Sequence, residues 1–154
     1  MSFPTNGVYM IKNIGRGLML DLKDNNTAEG TPIQGSARNG TVAQQWVIKR
    51  QKHPGSSPSK SVTIQSHNKG FNGNGYFTAV SDDSDEPIVY TKHASMIDLV
   101  GHVDDTFTMS FTLGNKNLVL SIPSGRYNEV KLENFVQGSA RQQWKFIRIS
   151  DLKK

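Results

Sequence analysis

The chain has 154 residues, of which 35% are hydrophobic and 20% are charged. This composition is typical of one globular domain spanning residues 1–154, and it excludes a disordered chain. Cysteine is absent, so disulfides and thiolate metal sites are excluded. The formal net charge is +5, but the basic residues are scattered apart from Lys49-Arg50-Gln51-Lys52, so we expect no nucleic-acid partner.

The beginning of the chain carries no targeting pattern. Residues 1–6 show no basic start followed by an apolar run, so we expect no signal peptide. No segment approaches the ~18 apolar residues that a membrane span requires, and we expect no membrane insertion. Glycosylation sequons begin at Asn25 and Asn39, and we expect them to be unused. We therefore predict a cytoplasmic protein, with any export following a non-classical route.

Short runs of alternating apolar residues, bounded by Gly, Pro, Asn or Asp, predict strands rather than helices. In chain order, the first four predicted strands are residues 7–13, 18–22, 31–35 and 44–48. The next four are residues 62–64, 75–80, 86–90 and 96–99. The last four are residues 107–113, 117–121, 130–132 and 142–146. Pro32 and Pro87 fall at equivalent places near a strand start, where a missing amide donor is tolerated.

The ends of the first and third sets of strands are duplicated in sequence. Gln34-Gly35-Ser36-Ala37-Arg38 precedes Gln44-Gln45-Trp46, and Gln137-Gly138-Ser139-Ala140-Arg141 precedes Gln142-Gln143-Trp144. The two Gln-x-Trp triplets lie 98 positions apart, from 46 to 144. A repeat of about 49 residues with a degenerate middle copy explains this spacing. We predict three units at roughly 5–53, 54–103 and 104–150, arranged around an axis so that sheet closure removes free edges.

Several motifs resemble the ricin-B (R-type) lectin family, and most of all its small cytosolic fungal members. They are Gly-x-Tyr-x-Ile-x-Asn at 7–13, Leu20-Asp21-Leu22, Gly30-Thr31-Pro32-Ile33-Gln34 and the two Gln-x-Trp triplets. The resemblance implies an all-β fold, a β-trefoil of twelve strands in which hairpins cap a barrel. It also implies that Trp46 and Trp144 anchor the core and that Gln142 satisfies backbone groups, so we favour structural roles for both triplets over ligand contact.

The same resemblance implies a shallow carbohydrate site that binds galactose- or GalNAc-type glycans. Such a site needs a carboxylate, an aromatic platform and an amide. The first unit keeps the carboxylate but has Ser36 at the platform position and Ala43 at the amide position. The predicted carbohydrate-binding residues are Asp21, Asp24, Gln34, Ser36, Arg38 and Gln44. An acid that only stabilises a turn is the alternative interpretation of Asp21.

The other two units depart further from the family pattern. At the acid position the second unit has Ala79 and the third has Ser121. Tyr90 lies near the platform position of the second unit, and Glu133 near that of the third. Ser95 replaces the Gln of the second triplet, and Arg141 stands at the third amide position. The first unit therefore keeps more of the family's sugar-binding pattern than the other two units. Dimerisation could restore affinity for glycans through avidity.

Catalysis has little support in the sequence. The four histidines, His53, His67, His93 and His102, fall in or near separate predicted loops without metal-ligand spacing, and no Gly-x-Ser-x-Gly motif occurs. We therefore predict a non-enzymatic protein without metal or other cofactors. Its expected partners are glycans or glycoproteins, and a second copy of the chain in a homodimer.

Two alternatives stay open, and the first is inhibition of a trypsin-like serine protease by a stiff loop. Residues 51–60 carry Lys52 and Lys60 on either side of Pro54 and Pro58, and they resemble the loop of Kunitz-type inhibitors in placement only. Residues 24–30 and 123–126 are further candidate loops. The second alternative is a protein-interaction module that has lost its sugar sites.

Overall fold

The computed structural model describes residues 3–51, 61–68, 75–79, 83–112, 117–125 and 128–151. The first unit contains β1 (Gly7–Asn13), β2 (Met19–Leu22), β3 (Ile33–Ser36) and β4 (Trp46–Gln51). The second unit contains β5 (Ser61–Ser66), β6 (Tyr76–Ala79), β7 (Ile88–Thr91) and β8 (Ile97–Gly101). The third unit contains β9 (Phe107–Phe111), β10 (Leu118–Ser121), β11 (Lys131–Asn134) and β12 (Trp144–Ser150).

Six strands form a closed antiparallel barrel. Strand β1 pairs with β4, β4 with β5, and β5 with β8. The ring continues through β8–β9 and β9–β12, and β12 returns to β1. Since every one of these strands has a partner on both sides, the barrel presents no free edge along these pairings.

The remaining six strands form three hairpins, β2–β3, β6–β7 and β10–β11, with one hairpin in each unit. Isolated bridges join the hairpins to one another: Pro32 pairs with Val89, Gln34 with Glu129, and Pro87 with Lys131. The predicted equivalence of Pro32 and Pro87 is therefore present in the structure, because both occupy hairpin-to-hairpin bridges. Three hairpins that cap a six-stranded barrel make a β-trefoil, and the predicted fold class is confirmed.

Apolar side chains fill the barrel and the space beneath the hairpins. Trp46 and Trp144 are completely buried among aliphatic residues of all three units. Phe107 and Phe146 pack edge to face with ring centroids 5.7 Å apart. Burial of each large side chain contributes about 1.5–3 kcal/mol, which explains why short strands with little local stability are held together.

Most predicted strands agree with the structure to within a few residues, and β1 agrees in both bounds. The prediction was wrong about Gln44 and Gln142, which were assigned to strands. Each ends a single 3-10 turn, Val42–Gln44 or Ala140–Gln142, just before β4 or β12. The turn directs these side chains toward the hairpin instead of into the strand ladder. Among the described residues, no helix is long and apolar enough to cross a membrane.

Candidate functional site

The strongest candidate site of the first unit centres on the carboxylate of Asp21. Asp21 lies in β2 directly opposite Gln34 of β3, between the fully buried Leu20 and Leu22. Gln44 donates a hydrogen bond from Nε2 to Asp21 Oδ2 at 3.0 Å. Gln34 Nε2 lies 3.5 Å from Asp21 Oδ1, at the limit of a hydrogen bond. The structure thus brings these three predicted residues together on one side of the hairpin.

Gln44 also connects the carboxylate to the segment that follows β3. Its Nε2 donates to the carbonyl oxygen of Ala37 at 2.9 Å, and its Oε1 accepts from the backbone N–H of Asn39 at 3.0 Å. Gln44 is itself fully buried. Because its amide is engaged by the protein on both sides, it orients Asp21 and is a positioning residue.

Burial sets the electrostatics of this carboxylate. Desolvation raises the pKa of Asp21 above the usual 3.8, while the hydrogen bonds from Gln44 and Gln34 oppose that effect. The negative charge of Asp24 raises the pKa of Asp21 a little further. Each carboxylate oxygen accepts about two hydrogen bonds, so acceptor capacity remains beyond the single amide donor that reaches each oxygen. Asp21 is 5% exposed, so this remaining capacity belongs to a largely buried carboxylate.

Three other predicted residues of this site are Ser36, Asp24 and Arg38. Ser36 is half-buried at the end of β3, whereas Asp24 and Arg38 are exposed. Asp24 adopts a left-handed conformation with φ of 55°. Within the described part of the chain, none of these three side chains hydrogen-bonds to Asp21. Of the six predicted residues, Asp21, Gln34 and Gln44 thus form a hydrogen-bonded group, and Ser36, Asp24 and Arg38 lie outside it.

A contact between the second unit and the turn after β2 was missed in the sequence. Asn68, which follows β5, donates from Nδ2 to the side-chain oxygen of Asn25 at 2.6 Å and to the backbone oxygen of Asn25 at 3.2 Å. These residues are 43 positions apart, and no motif connects them. The barrel pairing of β4 with β5 places this segment near the first hairpin.

Tyr90 does not provide a sugar platform in the second unit, so that interpretation was wrong. Its ring is only 1% exposed, and the space above the ring is taken by the Gly75 backbone. Burial raises the pKa of the Tyr90 hydroxyl, although a hydrogen bond with the backbone of Gly75 opposes this effect. Ala79 lies opposite Ile88 in the β6–β7 hairpin, as Leu22 lies opposite Ile33 in the first unit. Thr78, opposite Val89, is therefore the residue that corresponds to Asp21, and the assignment of Ala79 to the acid position was wrong.

In the third unit an ion pair occupies the equivalent place. Glu133 lies opposite Val119, just as Ser36 lies opposite Met19 in the first unit. Glu133 Oε1 accepts from the hydroxyl of Ser121 at 2.5 Å and lies 3.2 Å from Nη1 of Arg141. The carboxylate is thus neutralised by neighbouring groups of the protein, and it stabilises the hairpin more readily than it binds a ligand.

The two Gln-x-Trp triplets have structural surroundings. Trp46 donates its indole N–H to the carbonyl of Leu20, and Trp144 donates to that of Leu120, both at 3.1 Å. Gln142 donates to the carbonyl oxygen of Asn134 at 2.9 Å and accepts from the backbone N–H of Val136 at 2.9 Å. Because these side chains are buried and their polar groups are engaged, they shape the units without facing a ligand.

The candidate inhibitor loops are described only in part. Of residues 51–60, only Gln51 is described, and it ends β4. In the loop at 123–126, Arg16 hydrogen-bonds to the carbonyl oxygens of Pro123 and Gly125. Arg126 lies outside the described residues. Inhibition of a protease stays a prediction.

Comparisons with known proteins agree with this architecture. The family model described as "Ricin-type beta-trefoil lectin domain-like" matches residues 2–85. The crystal structure of the Rhizoctonia solani agglutinin is similar with a TM-score of 0.79 and 27% identity, covering 97% of this chain and 99% of that chain. The Macrolepiota procera ricin B-like lectin, solved in complex with lactose, has a TM-score of 0.75 and 17% identity, with 97% and 100% coverage.

A designed protein of the same shape is also similar. The threefold symmetric ThreeFoil has a TM-score of 0.76 and 14% identity, covering 93% of this chain and 99% of that chain. No curated protein sequence matches this chain. Since the family model covers more than half of the residues and the observed fold is the one the family implies, the chain belongs to the ricin-type β-trefoil lectin domain-like family.

Proposed function

We propose that the protein is a non-catalytic lectin that binds galactose- or GalNAc-type glycans at a shallow site in its first unit. The observation that carries this proposal is the geometry of Asp21, whose carboxylate is positioned by the buried amide of Gln44. A carboxylate held in this way accepts hydrogen bonds from two adjacent sugar hydroxyls.

The arrangement favours recognition over catalysis. Within the described residues, the side-chain hydrogen-bond partners of Asp21 are the amides of Gln34 and Gln44. Glycoside hydrolysis needs a pair of carboxyl groups on either side of the scissile bond. Asp24 is the nearest acid in sequence, but it is exposed and belongs to a turn. The amides and the carboxylate at this site thus suit the binding of sugar hydroxyl groups.

The expected affinity for one sugar is low. Ser36 occupies the platform position, so the stacking contribution of an aromatic ring is missing. A few hydrogen bonds give a small ligand only a limited binding free energy, which corresponds to a dissociation constant on the order of millimolar. The lectin from Macrolepiota procera, whose structure contains lactose, supports a galactoside as the first ligand to test.

Two isosteric variants distinguish loss of binding at the proposed site from a general effect of removing one negative charge. Asp21→Asn removes the carboxylate at the proposed site. Asp85→Asn removes one at an exposed position in the β6–β7 hairpin, where Asp85 pairs with Lys131 at 3.2 Å. Glycan-array screening followed by calorimetric titration with galactose and GalNAc should show binding that Asp21→Asn abolishes and Asp85→Asn retains.

The same experiment can contradict the proposal in two ways. If wild-type protein gives no signal on a broad array, the lectin function is wrong. If Asp21→Asn binds galactosides as wild type does, the location in the first unit is wrong. Circular dichroism of each variant shows whether the fold is intact before binding is compared.

A further inference from the structure

A cluster of exposed apolar side chains lies where the end of the second unit meets the third unit. The large apolar residues exposed in the described part of the chain are Ile14, Val100, Val103, Phe135, Val136 and Ile149. Four of these belong to two segments, the end of β8 with its following turn and the segment after β11. Isolated exposed apolar residues need no explanation, but Val103, Phe135 and Val136 line one cavity, and Val100 lines a smaller one beside it. Such a grouping is typical of a binding surface.

The cavity lies between these two segments and has a volume of about 650 Å³. Residues 101–104 line one side, and residues 135–139 line the other. A smaller cavity of about 220 Å³ shares His102, Thr108 and Phe135 with it. The larger volume falls within the roughly 300–1,000 Å³ typical of small-ligand sites. A protein interface instead needs about 800 Å² of surface from each partner.

The walls of the cavity are held by hydrogen bonds. The backbone N–H of Phe135 donates to Asn117 at 2.7 Å, and the N–H of Val136 donates to the buried amide of Gln142 at 2.9 Å. On the opposite wall, the N–H of His102 donates to the carbonyl of Thr106 at 2.9 Å. These contacts fix both walls before a ligand arrives, which reduces the ordering cost of binding.

Polar groups stand beside the apolar ones. Asp104 Oδ1 accepts from the hydroxyl of Thr106 at 2.6 Å, and these bonds with Thr106 lower the pKa of Asp104, so the carboxylate is ionised at neutral pH. His102 Nε2 lies 2.6 Å from the hydroxyl of Thr108. Among the described residues, neither lysine nor arginine lines the cavity, which argues against an anionic ligand.

We propose that this cavity is a second saccharide site, which takes an N-acetylated hexose residue. Phe135 supplies the flat apolar surface for the sugar ring, a feature that the first unit lacks. Asp104 accepts hydrogen bonds from hydroxyl or acetamido N–H groups, and Val103 and Val136 contact the acetamido methyl group. The inference rests on the proposed lectin function and extends it to a second place on the molecule.

The site is distinct from the position that the repeat pattern assigns to the third unit. Ser121, Glu133 and Arg141 mark that position, and none of them lines the cavity. Phe135 follows β11, beyond the strand residue that corresponds to the platform. The cavity also uses the β8–β9 turn, which contains no residue of the sugar pattern.

The test is an NMR titration in which each site reports separately. ¹H–¹⁵N spectra are recorded while methyl glycosides of GalNAc, GlcNAc, galactose and glucose are added in turn. We expect the N-acetylated sugars to shift the amides of residues 102–104 and 135–139. Phe135→Ala should weaken this binding about fivefold to tenfold. The matched control is Ile149→Ala, an exposed apolar residue on β12, which should leave the binding unchanged.

The outcomes distinguish this inference from the proposed function. Shifts at 102–104 and 135–139 that persist in Asp21→Asn support the second site. Shifts confined to the surroundings of Asp21 overturn the second site and leave the first intact. Equal shifts with galactose and GalNAc overturn the acetamido preference. If these amides respond to protein concentration and not to any sugar, the surface joins two copies of the chain and the inference is wrong.

Discussion

Trp46 and Trp144 stand in equivalent positions of the first and third units, and each indole donates its N–H to a leucine carbonyl at 3.1 Å. The two units thus share their buried framework in detail. Their hairpin surfaces differ, because Asp21 of the first unit corresponds to Ser121 of the third. The two units therefore share the residues that support the fold, whereas the residues on the hairpin surface differ.

The two tryptophans should contribute equally to stability. Trp46→Phe and Trp144→Phe each leave a leucine carbonyl without its donor in a dry environment, in addition to a small void. We expect each variant to lose about 2 kcal/mol of unfolding free energy in urea titrations. Val103→Ala, at a fully exposed position, should change stability by less than about 0.5 kcal/mol. A large difference between the two tryptophan variants would contradict the equivalence of the units.

The pH dependence of stability should carry the signature of Asp21. Because its pKa is raised above 3.8 in the folded protein, the native state holds this proton more tightly than the unfolded state. The resulting stabilisation is complete below 3.8 and is lost as the pH rises through the folded pKa. Relative to Asp21→Asn, the wild type should lose stability over that window in urea titrations at a series of pH values. A gain over the same window would show that the amide hydrogen bonds outweigh burial.

An aromatic residue at position 36 should improve sugar binding. Ser36 is half-buried at the end of β3, in the same hairpin as Asp21. Ser36→Trp adds a surface on which the apolar face of a sugar can stack, worth about 1 kcal/mol or roughly fivefold in affinity. Calorimetric titration with a galactoside measures the change, with Ser124→Trp as a control in a loop of the third unit. No gain would indicate that the sugar lies elsewhere.

Gly75 should be intolerant of any side chain because of Tyr90. A Cβ atom at position 75 would lie 2.2 Å from the Tyr90 ring, and that ring is buried. Gly75→Ala should cost about 1–3 kcal/mol through overpacking. In a Tyr90→Leu background the cost should be much smaller. Gly40→Ala, whose Cβ meets no atom within 4 Å, should cost the same in both backgrounds.

The sequence was informative about the framework for a physical reason. Strand alternation and the repeated Gln-x-Trp triplets are local patterns, and a repeat places local patterns into equivalent surroundings. The burial of Tyr90 was not predictable in the same way, because it depends on contact with Gly75 in the β6–β7 hairpin region. The cavity beside Phe135 also escaped prediction, because it forms between two segments with no common motif.

The pairing of β1 with β12 has a consequence for how the molecule is made. Asn13 lies opposite Trp144, so the first strand of the barrel completes its pairing only with the last. During synthesis from the N-terminus, the edge of β1 that pairs with β12 stays unpaired until β12 has been synthesised. Such distant contacts slow folding, because the entropy of closing the long intervening loop is lost before the pairing repays it. The closed barrel that protects the finished protein thus leaves its nascent form exposed to aggregation for most of its synthesis.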